Sequence, residues 1–339
     1  ALYHAKQVEV LYGSAAALYG ADASAGVINI ITDRATDTEG AWVSIGGGQF
    51  GTMEGAMLAG VRLNDQIALT VGGHQQSSDR ARLDQYYPQD FPKVAAKTFA
   101  GTVAVPAGAR ENYTGGIASD SLFAKLDVGK DLTFGYYRNY FRSLTSTGDR
   151  PDTALYLDSA RWDTAIETLY GSYRFDLTPG LKGELVVDYS GYEVDPNSKY
   201  VNIYTDFLDH GYVYAKNWRR GVEQNFNWRF NDANTVLAGV GYKEFYALLT
   251  PDLPRPYNPE LSADAQSFNH PNTSLPISVY EARYSNTSAY FQLQSEWNKA
   301  VSSMVGVRYD QHSAYGASVN PRLGLVWHNA PDSHLKLLY

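Results

Sequence analysis

From residue 40 to the end, the chain falls into thirteen stretches in which apolar and polar residues alternate. They lie at about 40–49, 53–63, 66–76, 121–129, 131–142, 162–176, 181–193, 217–230, 234–248, 284–297, 301–312, 319–328 and 333–339. Successive side chains of a strand point to opposite faces, so each stretch reads as a strand with one apolar face. In 222–230, Val222, Phe226, Trp228 and Phe230 share one face, and Glu223, Asn225, Asn227 and Arg229 share the other. In 288–297, Ala289, Phe291, Leu293 and Trp297 oppose Ser288, Gln292, Gln294 and Glu296; further on, Leu323, Leu325 and Trp327 oppose Arg322 and His328. The pattern predicts an all-β protein.

The connections narrow the choice of β fold. One set is short and made of turn formers: Lys130 and Asp131, Thr178-Pro179-Gly180, Asn231-Asp232-Ala233, Asn298-Lys299-Ala300 and 329–332. The alternate set holds the long segments 77–120, 143–161, 194–216 and 249–283, with two short exceptions at 50–52 and 313–318. A soluble β-sandwich shows the same alternation within strands, but has no reason to keep short and long links on opposite sides. A transmembrane antiparallel β-barrel does, with periplasmic turns facing extracellular loops. Many stretches also reach the roughly 9–11 residues that cross a bilayer on a tilt, against the usual 5–6 of globular sheets. Aromatic clusters near strand ends, Tyr136, Tyr137, Tyr140 and Phe141 or Phe245 and Tyr246, suit the interfacial girdles of a barrel.

Composition bounds the remaining classes. No apolar run approaches the ~20 residues of a membrane helix, and mean hydropathy is negative, which a barrel with one apolar face per strand tolerates. A net charge of −8 speaks against nucleic acid as a partner. With no Cys there are no disulfides and no thiolate metal sites. The seven histidines, at 4, 74, 210, 270, 312, 328 and 334, lack H-x-x-x-H or H-E-x-x-H spacing. No catalytic constellation stands out, so the chain reads as a non-enzyme without a cofactor or metal.

Ahead of the strands, residues 8–32 read VEVLYGSAAALYGADASAGVINIIT. On their own they are a Gly/Ala-rich turn followed by a strand. A phosphate loop lacks its Lys-Ser/Thr, and Ser24 misses a nucleophile elbow because Asp22 stands where the first glycine should be. The segment resembles the end of the plug domain of TonB-dependent outer-membrane receptors. Glu9-Val10, Leu18-Tyr19-Gly20 and Gly26-Val27-Ile28-Asn29-Ile30-Ile31-Thr32 carry the likeness, with Glu9, Gly13, Leu18, Tyr19, Gly20, Gly26 and Asn29 as the motif positions. Where the family has Arg-Gly-Pro this chain has Tyr12-Gly13-Ser14, and Gln7 replaces an arginine, so two arginines that latch plug to wall in the family are missing. A second likeness, to the family's mid-barrel run, covers Val307-Arg308-Tyr309-Asp310, Tyr315-Gly316, Asn320 to Trp327 and Leu335 to Tyr339.

The resemblance implies a piece of a longer precursor: residues 1–35 as the C-terminal part of a plug, and 36–339 as the N-terminal portion of a barrel of about 22 strands. Thirteen strands leave two open edges, which are expected to pair with strands outside this sequence. The implied function is active import across the bacterial outer membrane of a scarce solute, a ferric siderophore foremost. The implied partners are the TonB inner-membrane energising complex, the small-molecule ligand and outer-membrane lipid. A passive porin-like or adhesin barrel is the alternative, and would have no use for segment 8–32. An outer-membrane enzyme would need a polar cluster that the sequence does not offer. Ligand contacts are expected at Arg80, Arg82, Tyr86, Tyr87, Arg255, Tyr257 and His270 in the long loops, each of which could equally be a solvated loop residue. Glu296, an inward carboxylate, is expected to meet a plug cation or line a wet lumen. Asn258-Pro259-Glu260-Leu261 is similar to a box of haem receptors, but in a Pro-rich loop it reads as a turn.

Overall fold

A computed structural model of the chain describes residues 3–12, 26–35, 40–90, 96–97, 103–105, 116–144, 161–199, 211–270, 273–330 and 333–338. Its strands in chain order are β1 (Ala5–Tyr12), β2 (Gly26–Thr32), β3 (Gly40–Gly47), β4 (Met53–Arg62), β5 (Ile67–Ser78), β6 (Ala96–Lys97), β7 (Val103–Val105), β8 (Ile117–Val128), β9 (Leu132–Leu144), β10 (Arg161–Thr178), β11 (Leu181–Val194), β12 (Ala215–Asn231) and β13 (Asn234–Leu249). There follow β14 (Phe268–Asn269), β15 (Pro276–Ile277), β16 (Tyr280–Asn298), β17 (Val301–His312), β18 (Gly316–Ala330) and β19 (Ser333–Leu338).

Thirteen of these, β3 to β5, β8 to β13 and β16 to β19, form one antiparallel sheet in which each strand pairs with the next in chain order. They are the thirteen strands expected. Their long-loop ends run further than expected: β8 starts at Ile117 and β16 at Tyr280. The signal fades there because both faces are polar, as Glu281 and Arg283 show beside Ser288. At about 3.4 Å per residue, the 19 residues of β16 reach roughly 65 Å. On a 45° tilt that rises well above a hydrocarbon core of about 30 Å.

Cross-strand partners share a face, so the register traces each face across the sheet. One row runs Trp228, Val236, Leu293, Val305, Leu323, and the next runs Asn227, Leu237, Gln292, Gly306, Arg322. The first face exposes Leu122, Leu169, Val187, Val222, Val240 and Phe291, while the second buries Lys125, Gln292, Arg308 and Asp310. A soluble protein does the reverse. Ion pairs follow the same logic. The polar face holds Arg174–Glu184 at 2.9 Å, Lys243–Glu223 at 2.6 Å, Arg308–Asp310 at 2.8 Å, and Arg219–Asp188. On the apolar face, Arg142–Asp163, Lys216–Glu193 and Arg220–Glu244 all sit in the long-loop halves of their strands.

Aromatics flank that band: Tyr140, Trp218 and Tyr246 toward the long loops, Phe175, Trp228, Trp297 and Trp327 toward the short turns. The girdle expected from sequence is therefore half correct. Tyr137, Phe141 and Phe245 point to the polar face, because neighbours in a strand cannot share one.

Smaller units complete the fold, among them the β6–β7 pair. β1 and β2 pair as a hairpin, Ala5 opposite Thr32 and Val10 opposite Ile28. The segment between β13 and β16 forms a lobe whose core is Tyr214, Leu248, Leu253, Tyr257, Phe268 and Ile277, with Tyr212, Tyr246 and Val279 against it.

Candidate functional site

The polar face carries two places where chemistry concentrates. The first is the seat of the N-terminal hairpin. His4 is buried, its ring 4.7 Å from Phe123 and 5.1 Å from Tyr137, while Tyr3 stacks on His74 at 5.8 Å. Phe123 and Tyr137 are cross-strand partners on β8 and β9, so the wall presents a ready aromatic pair. Lys125, two residues along the same face, donates from Nζ to the Thr32 hydroxyl at 3.0 Å and to the carbonyls of Thr32 and Asp33 at 3.3 and 3.4 Å. Burial pushes the His4 imidazole from its ordinary 6.5 down to about 4. Within the hairpin, Asn29 donates to Glu9 at 3.0 Å across the strand pair.

The second place lies at the long-loop end of the same face. Phe245 stacks on Tyr284 at 4.7 Å and 12°, Tyr284 meets His312 at 5.0 Å, and His312 meets Tyr315 at 4.8 Å. β13, β16, β17 and the β17–β18 turn each supply one ring. The backbone N–H groups of Ala314 and Tyr315 donate to His312 Nδ1, at 3.0 and 3.2 Å, which fixes the turn that presents Tyr315. Arg219, the partner of Phe245, is ion-paired to Asp188. Asn286, the partner of His312, donates to Asp310 at 2.9 Å.

Comparison with known proteins decides what this wall is. The family model "TonB dependent receptor-like, beta-barrel" matches residues 107–339. The chain belongs to the TonB-dependent receptors. Among solved structures it is similar to the ferric-catecholate import receptor Fiu of E. coli K12 in its closed form, with a TM-score of 0.68 and 12% identity over 99% of this chain and 55% of that one. A variant of the ferric enterobactin receptor PfeA of Pseudomonas aeruginosa gives 0.64 and 16%, covering 98% of this chain and 48% of that one. The FrpB iron transporter of Neisseria meningitidis gives 0.65 and 13%, covering 98% and 52%. At these identities the likeness speaks for the fold. A stretch of 43 residues is 54% identical to the vitamin B12 transporter BtuB of Vibrio vulnificus, 13% of this chain and 7% of that protein. This receptor chain thus spans about half the length of the solved structures it matches. The family stands in the outer membrane, where the apolar belt has its lipid and the polar face its lumen.

Within the receptor, the site residues expected from sequence fall into separate places. Arg80, Arg82, Tyr86 and Tyr87 cluster just past β5, with Arg80 in the left-handed region at φ 62° and both tyrosines exposed. Arg255, Tyr257 and His270 belong to the 249–280 lobe, whose strand is six steps away along the wall, roughly 29 Å at about 4.8 Å per strand. Tyr257 is 3% exposed and stacked on Tyr214 at 4.7 Å. The Arg255 guanidinium lies 4.4 Å over Phe268 and donates to the Ser267 carbonyl at 3.1 Å. Both hold the lobe together. His270 sits in the β14–β15 turn, where its backbone N–H donates to the Leu275 carbonyl. The lobe is rooted on Tyr246 and Leu248, which share the apolar face through their partners Trp218 and Lys216. Asn258 turns the chain by accepting from the Glu260 N–H at 3.0 Å, so the haem-like box is a turn as expected.

Of the plug motif, Glu9, Gly26 and Asn29 are in or at the hairpin, while Gly13, Leu18, Tyr19 and Gly20 lie outside the described residues. Glu296 faces the lumen and lines a hollow of about 340 Å³ with Arg229, Gln294 and Ser302. Among the described residues, the hairpin seats instead on β5, β8 and β9, several strands from Glu296. Sequence reasoning missed His4, Lys125 and the Phe245–Tyr284–His312–Tyr315 stack. The available signal was parity: Phe245 and Tyr284 are aromatic at positions where their strands otherwise place polar side chains.

Proposed function

We propose that the chain is part of an active importer of the outer membrane that binds a scarce solute outside the cell, a ferric siderophore first among the candidates. In this reading residues 1–35 belong to a plug, 36–339 to the wall it blocks, and the TonB inner-membrane complex supplies the work that moves the plug. The observation that carries it is the seating of the N-terminal hairpin on the polar, lumenal face through His4 and Lys125. A head held inside a wide barrel makes passive flow small, so transport must be coupled to energy from elsewhere. The named functions of the relatives, import of ferric catecholates and of vitamin B12, support the same class. Arg80, Arg82, Tyr86 and Tyr87 are proposed loop contacts to the ligand, with Arg255, Tyr257 and His270 shaping a separate lobe further along the wall.

The test is growth of a strain lacking the gene, beside its parent, on a panel of iron and cobalamin sources. Loss of growth on one source, restored by the gene but not in cells without TonB, is expected. Equal growth on every source removes the importer reading, and open-channel conductance of the purified protein in planar bilayers would favour a passive porin.

A further inference from the structure

The apolar face of the wall does not end where the lipid does. On a 45° tilt the 16 residues of β13 rise roughly 38 Å and the 19 of β16 roughly 46 Å, against a hydrocarbon core of about 30 Å. Leu248, Ile277 and Val279 stand at or past the long-loop ends of those strands, where no lipid tail covers them. The 249–280 lobe does. Its Leu253, Tyr257 and Phe268 join Leu248 and Ile277 in one buried core, together with Tyr214 from the end of the β11–β12 connection, and Val279 packs against it. Two hydroxyls pin the core to the wall: Tyr214 donates to Glu193 at 2.7 Å and Tyr246 to Glu281 at 2.8 Å. Glu193 and Glu281 lie in register with Lys216 and Leu248 on the apolar face. The lobe is therefore folded against the outer side of the wall, away from the lumen.

Backbone bonds splice the lobe to the connection before it. Tyr212 and Leu253 exchange both of their N–H to carbonyl bonds, at 3.0 and 2.8 Å. The Thr250 N–H donates to the Tyr214 carbonyl at 3.1 Å, and the Thr250 hydroxyl accepts from the Tyr214 N–H at 2.9 Å. The ladder continues from the Val213 N–H to the Ser198 carbonyl at 3.0 Å, and from the Lys199 N–H to the carbonyl of Arg161, where β10 begins, at 3.0 Å. Ser198 is buried, and its hydroxyl accepts from the Asp163 N–H at 3.0 Å. A loop that swings over a bound solute needs a hinge where it leaves its strand. Here those junctions are buried and bonded to one another, so bending one of them opens the shared core.

We propose that residues 195–199, 211–214, 250–270 and 273–279 form one rigid brace on the outer side of the wall. The brace takes over from lipid in covering the strands where they rise past the membrane, and it holds the long-loop ends of β10 to β13 and β16 at fixed spacing. It stays in place through a transport cycle and does not touch the solute. Tyr214 and Leu253 are its central residues, because each joins the core and the backbone ladder at once. This rests on the importer reading and deepens it: capture and release of the solute fall to other parts of the receptor.

The experiment uses the full-length receptor, to which this chain contributes no cysteine of its own. Tyr212→Cys and Leu253→Cys are combined; partners that exchange both bonds stand about 5.5 Å apart at Cα, within reach of a disulfide. Uptake of ferric enterobactin and of cyanocobalamin by cells is compared with each single variant, which cannot form that bridge. With the crosslink shown complete by mass spectrometry, uptake within about twofold of the single variants is expected. Uptake lost only in the crosslinked double variant overturns the brace and leaves the importer standing. Hydrogen exchange of the unaltered receptor, with and without each probe, requires neither variant to fold nor either probe to be the cargo. The amides of Tyr212, Val213, Thr250 and Leu253 should be protected to within about tenfold of those in β12 and β13, and unchanged when a probe is added. Exchange as fast as that of an unbonded loop, or a severalfold change when a probe binds, overturns the brace. Slow exchange without uptake of either probe keeps the brace, and the importer reading then stands or falls on the growth panel.

Discussion

Arg308 and Asp310 show how this wall keeps charge out of water. Two residues apart on one strand, they share a face, and Arg308 donates from Nε and Nη2 at 2.8 and 3.0 Å with both residues buried. Removing one partner leaves the other buried without its counter-charge. Asp310→Ala should therefore cost about 3–5 kcal/mol, whereas Arg142→Ala, at a partly exposed pair, should cost about 1 kcal/mol or less. Urea unfolding of the detergent-solubilised full-length receptor measures both, and equal losses would contradict the argument. Gly135 makes the same point sterically. A Cβ there would collide with the ring of Tyr170, its cross-strand partner. Gly135→Val should destabilise by about 1–3 kcal/mol through overpacking, and Tyr170→Ala in the same chain should recover part of that loss.

At the scale of elements, the decisive contact is between the β1–β2 hairpin and the wall. Away from the wall, His4 takes up a proton as pH drops below about 6.5; seated between Phe123 and Tyr137, it resists until about 4. Seating is thus fully favoured above about 6.5 and weakens progressively as pH falls toward 4. Tyr3, Phe123 and Tyr137 pack against its ring, and Lys125 stands two residues beyond Phe123 on the same face of the wall. Hydrogen exchange of residues 5–12, corrected for intrinsic rates, should speed up between pH 7 and 4.5. His4→Phe, which keeps the ring and removes the titration, should flatten that profile; an unchanged slope would mean another group governs it. The 249–280 lobe is a second element with its own core. Tyr257→Ala should raise exchange across 253–270 and leave β12 and β13 protected. A variant that loosened the strands as well would make the lobe part of the wall.

For the whole molecule, the question is which side of the sheet meets lipid. Val187 stands mid-strand on the apolar face beside Val222. Val187→Arg should cost about 2–4 kcal/mol at the bilayer midplane, while Gln294→Arg, facing the lumen, should fall within about 0.5 kcal/mol of the parent. Folding into lipid vesicles, followed by the heat-modifiable shift on gels, reads both; equal tolerance would argue against a lipid-facing belt.

The strands, their order and the two faces were legible before any coordinates, because a period of two repeated over thirteen segments leaves few alternatives, and turn residues at one end fixed which strands are neighbours. The lobe and the girdles were less legible. Tyr257 and Arg255 have the composition of ligand contacts, yet they serve a core that forms only when distant segments around Tyr214 and Leu248 converge. The sequence by itself settled that this is an outer-membrane barrel wall preceded by a Gly/Ala-rich head. Only the tertiary structure decided that the β1–β2 pair seats on Phe123, Tyr137 and Lys125, and that Phe245, Tyr284, His312 and Tyr315 meet ring to ring along the lumen. Local periodicity fixes which way a side chain points, whereas which side chains meet depends on cross-strand register, and register is set by the whole sheet at once.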